Sequence, residues 1–283
     1  LTIHNSDEAV GDDVLLLIDG LNLVRRIYEA NPAEDSLDKV EAAMRSSLGS
    51  FRRALTEHRP THALAAFDYG GQTWRHDLYE KYREKRKPMP QILRDALPAF
   101  YEQLESQLSL KVLSISGVEA DDVIGTAFDR WMSACPRRGK VVILTTDKDI
   151  HTLIAGGALV RNHFVRDATD PDAWFDESKI AAKFFVPSSL LADLLALIGD
   201  DTDDIPGVKL VGPKTASKWL LEHGSLDAVI ANAASIKGKT GDNLRASLDN
   251  VRLARQLVAL KTDVRLGVSW NDLRMPAAAT APA

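Results

Sequence analysis

Acidic side chains stand where they could share divalent cations. Three apolar runs end in aspartate: VLLLID (14–19), THALAAFD (61–68) and KVVILTTD (140–147), giving Asp19, Asp68 and Asp147, with Asp149 two residues further on. A fourth segment, GVEADD (117–122), carries Glu119, Asp121 and Asp122 at the start of a helical pattern, and a fifth, GDDTDDIPG (199–207), carries Asp200 and Asp203. Singly, each has an ordinary explanation. Aspartate in Asp-Gly after a strand is commonly a turn residue, and acids in the first turn of a helix complement its dipole. Jointly, nine carboxylates from five segments would repel one another and destabilise the fold unless cations lay between them. Oxygen ligands without a His or Cys cluster point to a hard ion, Mg²⁺ with Mn²⁺ as a substitute, rather than zinc. An EF-hand calcium loop is excluded, since counting from Asp200 its third and sixth positions are Thr202 and Ile205.

The elements that would gather these acids follow from the spacing. The three apolar runs read as buried strands, and helical periodicity fills Leu37 to Leu55 and Leu93 to Leu108 between them. Alternating strands and helices predict an α/β fold, a twisted, mainly parallel sheet flanked by helices, whose ligand site lies beyond the carboxyl ends of the strands. Within GVEADD, Glu119 and Asp122 share a helix face while Asp121 lies about 100° round. After Phe185 the pattern becomes wholly helical, through Leu190, Leu194, Leu195 and Ile198 and again over 215–223 and 242–260. The expected organisation is a catalytic α/β domain at 14–185 and a smaller helical domain at 186–274, with disordered tails at 1–13 and 275–283.

With 45% apolar residues among 283, the chain can bury one large core and a smaller one. The lone Cys135 can form no internal disulfide, the start lacks the apolar stretch of a signal peptide, and no run reaches membrane-spanning length, so a reducing, cytoplasmic setting without membrane contact is expected. A net charge of −5 argues against a nucleic-acid partner until its distribution is considered. Residues 75–87 carry six basic groups against three acidic ones, and residues 205–265 carry ten against five. The first stretch interleaves Trp74, Tyr79 and Tyr82 with Arg75, Arg83, Lys85 and Arg86, which suits a single-stranded nucleic acid as well as it suits a solvated amphipathic helix. In the second, GVKLVGPKTA (207–216) leads into a helix start at Gly212, Pro213, Lys214 and Thr215, a ready anion site.

In this order, IDGLNL (18–23), AAFD (65–68), WRHDLYEKYREKR (74–86), GVEADD, TTDKD (145–149) and GDDTDDIPGVKLVGPKTA (199–216) resemble the bacterial 5′–3′ exonuclease family, which takes in the nuclease domain of DNA polymerase I, phage flap endonucleases and stand-alone exonuclease IX. The stand-alone branch is the nearer match, through Trp74-Arg75-His76, Pro88-Met89-Pro90 and Arg161-Asn162-His163-Phe164. The resemblance implies a PIN-like core joined to a helix-three-turn-helix domain, two Mg²⁺ ions held by the nine carboxylates, and hydrolysis of DNA near 5′ ends of flaps or branches by a monomer. It implies DNA contacts at Arg75, Tyr79 and Tyr82 and at Leu210, Val211, Gly212, Pro213, Lys214 and Thr215. It further implies K⁺ on the carbonyls of Leu197, Ile198, Pro206, Val208 and Val211. Two positions depart from the pattern. The usual Tyr-Lys pair is Tyr82-Arg83, leaving Arg83, Lys85 or Arg86 to meet the scissile phosphate, and a loop glycine is Leu210. A PIN-type ribonuclease, a non-catalytic binder of branched DNA and a domain severed from a polymerase are the competing readings; the polar start and short tail favour a free-standing chain.

Overall fold

Strand β1 (Val14–Asp19) is buried along Leu15 to Ile18, as a strand covered on both faces of a parallel sheet must be. It joins β2 (His62–Ala66), β3 (Lys111–Leu113), β4 (Lys140–Leu144), β5 (Leu159–Arg161) and β6 (Trp174–Phe175) in a six-stranded sheet ordered β3-β2-β1-β4-β5-β6. All neighbours run parallel except β5 and β6. The computed structural model describes residues 13–134 and 139–276. Cys135 and nearly all of both expected tails lie outside the described residues. Met275, read as the first residue of the second tail, instead donates its N–H to Thr61 O at 2.8 Å and packs on the core.

Alternation along β1 sorts its side chains between two layers. Leu16 and Ile18 pack under α1 (Gly20–Glu29) and α2 (Leu37–His58), while Phe67 and Phe100 join the same cluster. The short helix α3 (Trp74–Leu78) follows the second strand, and α4 (Gln91–Leu108) brings Phe100 onto that face. Leu15 and Leu17 pack on the opposite face against Val123, Ile124 and Trp131 of α5 (Ala120–Ala134). Local signals set the limits of these helices: Ser36 caps α2 by accepting from Lys39 N at 3.3 Å, and the chain leaves it through Arg59 at a left-handed φ of 42°.

The remaining helices are α6 (Glu177–Phe184), α7 (Leu191–Ile198), α8 (Pro213–His223), α9 (Leu226–Ala231), α10 (Gly238–Ala246) and α11 (Leu248–Leu257). They enclose a third core around Leu194, Leu195, Trp219, Leu220 and Val251, which also takes in Ile180, Phe184 and Tyr82 from segments earlier in the chain. The helical stretch expected over 242–260 is two helices parted at Ser247. Beyond them the chain returns to the sheet, where Val264, Leu266 and Leu273 pack with the α5 layer. Strands β2 and β4 end before the aspartates expected to close them, so Asp68 and Asp147 lie on the loops that follow.

The end of α7 and the loop before α8 approach at backbone distance. A Cβ on Gly207 would stand 2.1 Å from Ile198 O, and one on Gly199 would stand 2.4 Å from Gly207 N. Only glycine fits between these chains. Gly207→Ala is therefore expected to cost about 2–3 kcal/mol, at the upper end for overpacking, in urea unfolding. Gly212→Ala, with nothing within 4 Å of the added carbon, serves as the control; equal losses in the two variants would show that the contact does not constrain the loop.

Candidate active site

The carboxyl ends of the central strands deliver the acids to one cleft. Asp19 closes β1 and caps α1, accepting from Asn22 N at 3.1 Å and from Thr145 Oγ1 at 2.8 Å. Asp68, two residues past β2, accepts from Ala120 N at 2.8 Å at the start of α5. Asp121 follows in the first turn of that helix, and Asp147 accepts from Asp149 N at 2.9 Å in the loop after β4. Backbone donors thus fix the orientation of the group, but they do not neutralise it.

Burial and mutual repulsion hold protons on this cluster. Burial first, then Asp147 and Asp68, push Asp19 up to about 7 against the bonds from Asn22 and Thr145. Burial and Asp147 push Asp149 up to about 8 despite Lys148. Asp121 is raised well above the ordinary carboxylate range by burial, then by Asp147, Asp19, Asp68 and Asp149. One buried oxygen, Asp149 Oδ1, lacks any hydrogen-bond partner. As the side chains stand, no three Asp, Glu, His or Cys groups among the described residues surround a single point closely enough to ligate one ion. The donor set is nevertheless all oxygen, and the orphaned Asp149 oxygen and the mutual repulsion are what a hard divalent cation would satisfy.

The other acids are already paired. Asp122, expected among the metal ligands, receives Arg75 Nη1 and Nη2 at 2.8 and 3.0 Å, Trp74 Nε1 at 2.9 Å and Lys261 N at 3.0 Å. Burial opposes its charge, but Arg75 and these donors outweigh it and lower the pKa. Asp122 is a structural anchor, and the helical offset from Asp121 is the reason the two neighbours face different surroundings. Arg75 and Tyr82, expected as DNA contacts, are both 3% exposed, with their polar atoms turned to protein partners. Arg75 also donates to Leu257 O and Ala259 O, tying α3 to the end of α11, and Tyr82 OH donates to Glu119 and Asp203. Tyr79 is half-buried against the helical core.

Arg83 sits at a φ of 56° and spans two carboxylates, with Nε 2.9 Å from Asp203 and Nη1 3.0 Å from Glu119. Lys85 is exposed and paired with Asp204 at 2.7 Å, while Arg86 stands 3.6 Å from Asp203. Lys148 donates to Asp200; burial would lower its pKa, but Asp149 and Asp200 raise it. Sequence reasoning passed over this lysine, although Asp-Lys-Asp places an ammonium between two of the proposed ligands. It also passed over Arg25 and Arg26, one helical turn past Asn22, which line the cleft; Arg26 donates to Thr146 Oγ1 at 2.8 Å. The resulting cavity, about 490 Å³, is lined by Asp19, Asp68, Asp121 and Asp147 together with Arg25, Arg26, Lys85, Arg86 and Lys87, and by Glu29, Glu119 and Asp201.

The loop before α8 lies elsewhere, on the helical core. Val208 N donates to Leu197 O at 2.8 Å and Val211 N to Val208 O at 3.0 Å, so the residues named for K⁺ share one turn with Ile198 and Pro206 nearby in the chain. Leu210, Gly212, Pro213 and Lys214 are exposed, Thr215 is half-buried and Val211 is buried. Leu210 holds a left-handed φ of 65° and turns its side chain outward, 65% exposed.

Residues 14–185 match the model of the 5′–3′ exonuclease N-terminal resolvase-like domain, and residues 186–281 that of the 5′–3′ exonuclease C-terminal SAM fold. The flap endonuclease Xni of Psychromonas ingrahamii is 32% identical, over 92% of this chain and 96% of its own, and that of Shewanella amazonensis 34% identical, over 92% and 98%. Among solved structures, the T5 5′-exonuclease with bound zinc superposes with a TM-score of 0.73 at 20% identity, covering 88% of this chain and 90% of that one. The catalytic core of Rad2 in complex with a DNA substrate gives 0.53 at 15% identity, covering 92% and 83%.

Two outcomes follow from the charges. Between about pH 4 and 8 the folded, metal-free chain keeps protons on Asp19, Asp149 and Asp121 that the unfolded chain releases, so its stability falls as pH rises. The melting temperature in EDTA is expected to drop by roughly 5 °C or more from pH 5 to pH 8, and divalent cation to restore it most at pH 8 with release of protons; a flat profile would contradict the coupled cluster. Arg75→Met strands the buried Asp122 charge and should cost about 3–5 kcal/mol in urea unfolding, whereas Lys85→Met should leave the transition nearly unmoved.

Proposed function

The chain belongs to the 5′–3′ exonuclease family and is a structure-specific 5′-nuclease, and from that premise we propose that it hydrolyses DNA with two Mg²⁺ ions near 5′ ends at flaps, nicks or branches. The observation that carries this reading is the proton-holding carboxylate cluster sharing one cleft with cations. Asp19, Asp68, Asp121, Asp147 and Asp149 would hold the metal directly. Glu119, Asp200 and Asp203 are the further candidates, each now engaged by Arg83, Lys148 or both Arg83 and Arg86. Bound there, divalent ions supply Lewis acidity: they activate the attacking water and stabilise the departing 3′-oxygen.

The protein's own groups do the rest. Arg25, Arg26, Arg86 and Lys87, which line the cleft with the carboxylates, attract and orient the strand's phosphates. In the hydrolysis, a water oxygen bonds to phosphorus as the bond from phosphorus to the 3′-oxygen breaks. A proton leaves the water and one is taken up by the 3′-oxygen, so the retained strand begins with a 5′-phosphate. Arg83 is a bridge between Glu119 and Asp203 in this reading, positioning the segment above the cleft. On the helical unit, the exposed Gly212, Pro213 and Lys214 at the start of α8 would receive duplex phosphates, with K⁺ on the carbonyls of Leu197, Ile198, Pro206, Val208 and Val211. The chain is proposed to act as a monomer, and the setting proposed is the cytoplasm.

The test incubates a 5′-labelled flap, a nicked duplex and a single-stranded RNA with Mg²⁺, Mn²⁺ or EDTA. Cutting of the DNA substrates in either metal and none in EDTA is the expected result. Asp147→Asn and Asp121→Asn should each lower the rate by at least about 100-fold, since even groups that only orient metal ligands are worth 10–100-fold. Preference for the RNA would turn the assignment to a ribonuclease, and undiminished cutting by both variants would remove the metal mechanism.

A further inference from the structure

Next to the catalytic cleft lies a second cavity of about 570 Å³, within the range of small-molecule sites, about 300–1,000 Å³. The two share Asp68, Arg86, Lys87 and Glu119 on their walls, so a strand lying over the carboxylates continues into it without crossing the fold. Its other walls are mostly apolar: Met89 above, Leu97 and Pro98 of α4 below, and the rings of Tyr69 and Tyr101. Apart from the two shared acids no carboxylate lines it, whereas five Lys or Arg side chains do.

Two of those cations stand outside the close ion pairs, although Lys87 also acts on Asp35 through space. Arg83 and Arg86 face Asp203, and Arg25 pairs with Glu29 at 2.6 Å, but neither Lys87 nor Arg94 forms an ion pair among the described residues. The turn after Asp68 holds Arg94 at the cavity. Gly70 takes a φ of 84°, and a Cβ there would stand 3.3 Å from Arg94 Nη1, so the guanidinium lies against bare backbone. Tyr69, 62% exposed, offers an uncovered ring beside it.

Strand order gives the cavity a direction. The helical unit meets the turn at 150–156 after β4 through α6 and α7, and it is tied to α3 and Arg83 through Leu257 and Asp203. The cavity opens at the β2 and β3 side, between the loop 68–71, Ser114 and α4. The carboxylates lie between the two. The shared walls let a strand cut over the carboxylates run on into the cavity, and in the nuclease reading the portion beyond the cut is the 5′ one.

We infer that this cavity is a subsite for the 5′-terminal nucleotide of the strand being cut, its terminal phosphate held by Arg94 and Lys87 and its base against Tyr69 and Tyr101. This rests on the nuclease reading above. The volume admits a nucleotide with its phosphate, so the subsite favours short 5′ ends that carry a phosphate.

The experiment measures binding in EDTA, by fluorescence anisotropy, of nicked duplexes with a one-nucleotide 5′ flap ending in phosphate or in hydroxyl. The wild-type chain should bind the phosphorylated end at least about fivefold more tightly, as one charge-assisted contact allows. Arg94→Ala should bind both ends with the weaker affinity, and Tyr69→Ala should lose about tenfold on both while keeping the ratio between them. Thermal melts check that the variants, all at exposed positions, remain folded. Equal wild-type affinity for the two ends, or a ratio that survives in Arg94→Ala, overturns the subsite and leaves the nuclease reading standing. Failure of the wild-type chain to bind any nicked duplex overturns both.

Discussion

Like-charge repulsion at the carboxyl ends of β1, β2 and β4 is the constraint to which the rest of the molecule answers. Parallel strands bring Asp19, Asp68 and Asp147 together simply by ending side by side, and the start of α5 adds Asp121. The fold relieves this in two unequal ways. Toward the sheet, burial leaves protons on Asp19, Asp121 and Asp149 in the absence of a cation. Toward the helical unit, arginine and lysine occupy the acids: Arg75 on Asp122, Arg83 on Glu119 and Asp203, Lys148 on Asp200. The first group is available to a metal because nothing else neutralises it.

The second group explains how a short, weakly structured segment is held over the cleft. Residues 79–90 contain no long element, yet Arg75, Tyr82 and Arg83 anchor them from below to α5, to the loop after α7 and to the end of α11. Buried ion pairs gain little net stability over apolar packing, but removing one partner strands a charge. Their contribution here is therefore placement: they keep Arg86 and Lys87 at the mouth shared by the two cavities.

What could be read from the sequence was what is local. Apolar runs ending in aspartate announce a parallel sheet and a site at its edge, because both the burial and the site come from consecutive residues. Strands of two or three residues such as β3, β5 and β6 leave no period to detect. The partition of the acids was hidden for a different reason. Asp122 is claimed by Arg75 and by Lys261 N, 47 and 139 positions away, and nothing in the spacing of Glu119, Asp121 and Asp122 records those partners. The same distance effect turned Arg75 and Tyr82, which look like a basic and aromatic surface, into buried braces. The return of Val264, Leu266 and Leu273 to the sheet lacks a sequence signal of comparable strength.

Arg83 and Leu210, the two positions where the sequence was expected to depart from the family's pattern, both adopt left-handed backbone angles. A side chain there costs about 1–2 kcal/mol relative to the right-handed region, and such strain persists only where the surroundings over-determine it. At Arg83 the backbone N–H donates to Asp203 O at 3.0 Å while the guanidinium grips the same residue's carboxylate, so main chain and side chain enforce one conformation. At Leu210 the turn is closed from outside the residue, by Val211 N on Val208 O and by Asn243 Nδ2 on Lys209 O at 2.7 Å. The backbone path through that turn is set by its neighbours, and the leucine side chain is simply carried outward into solvent. Arg83 changes the chemistry at its position by committing its charge to two carboxylates, whereas Leu210 changes only the surface that a duplex would meet.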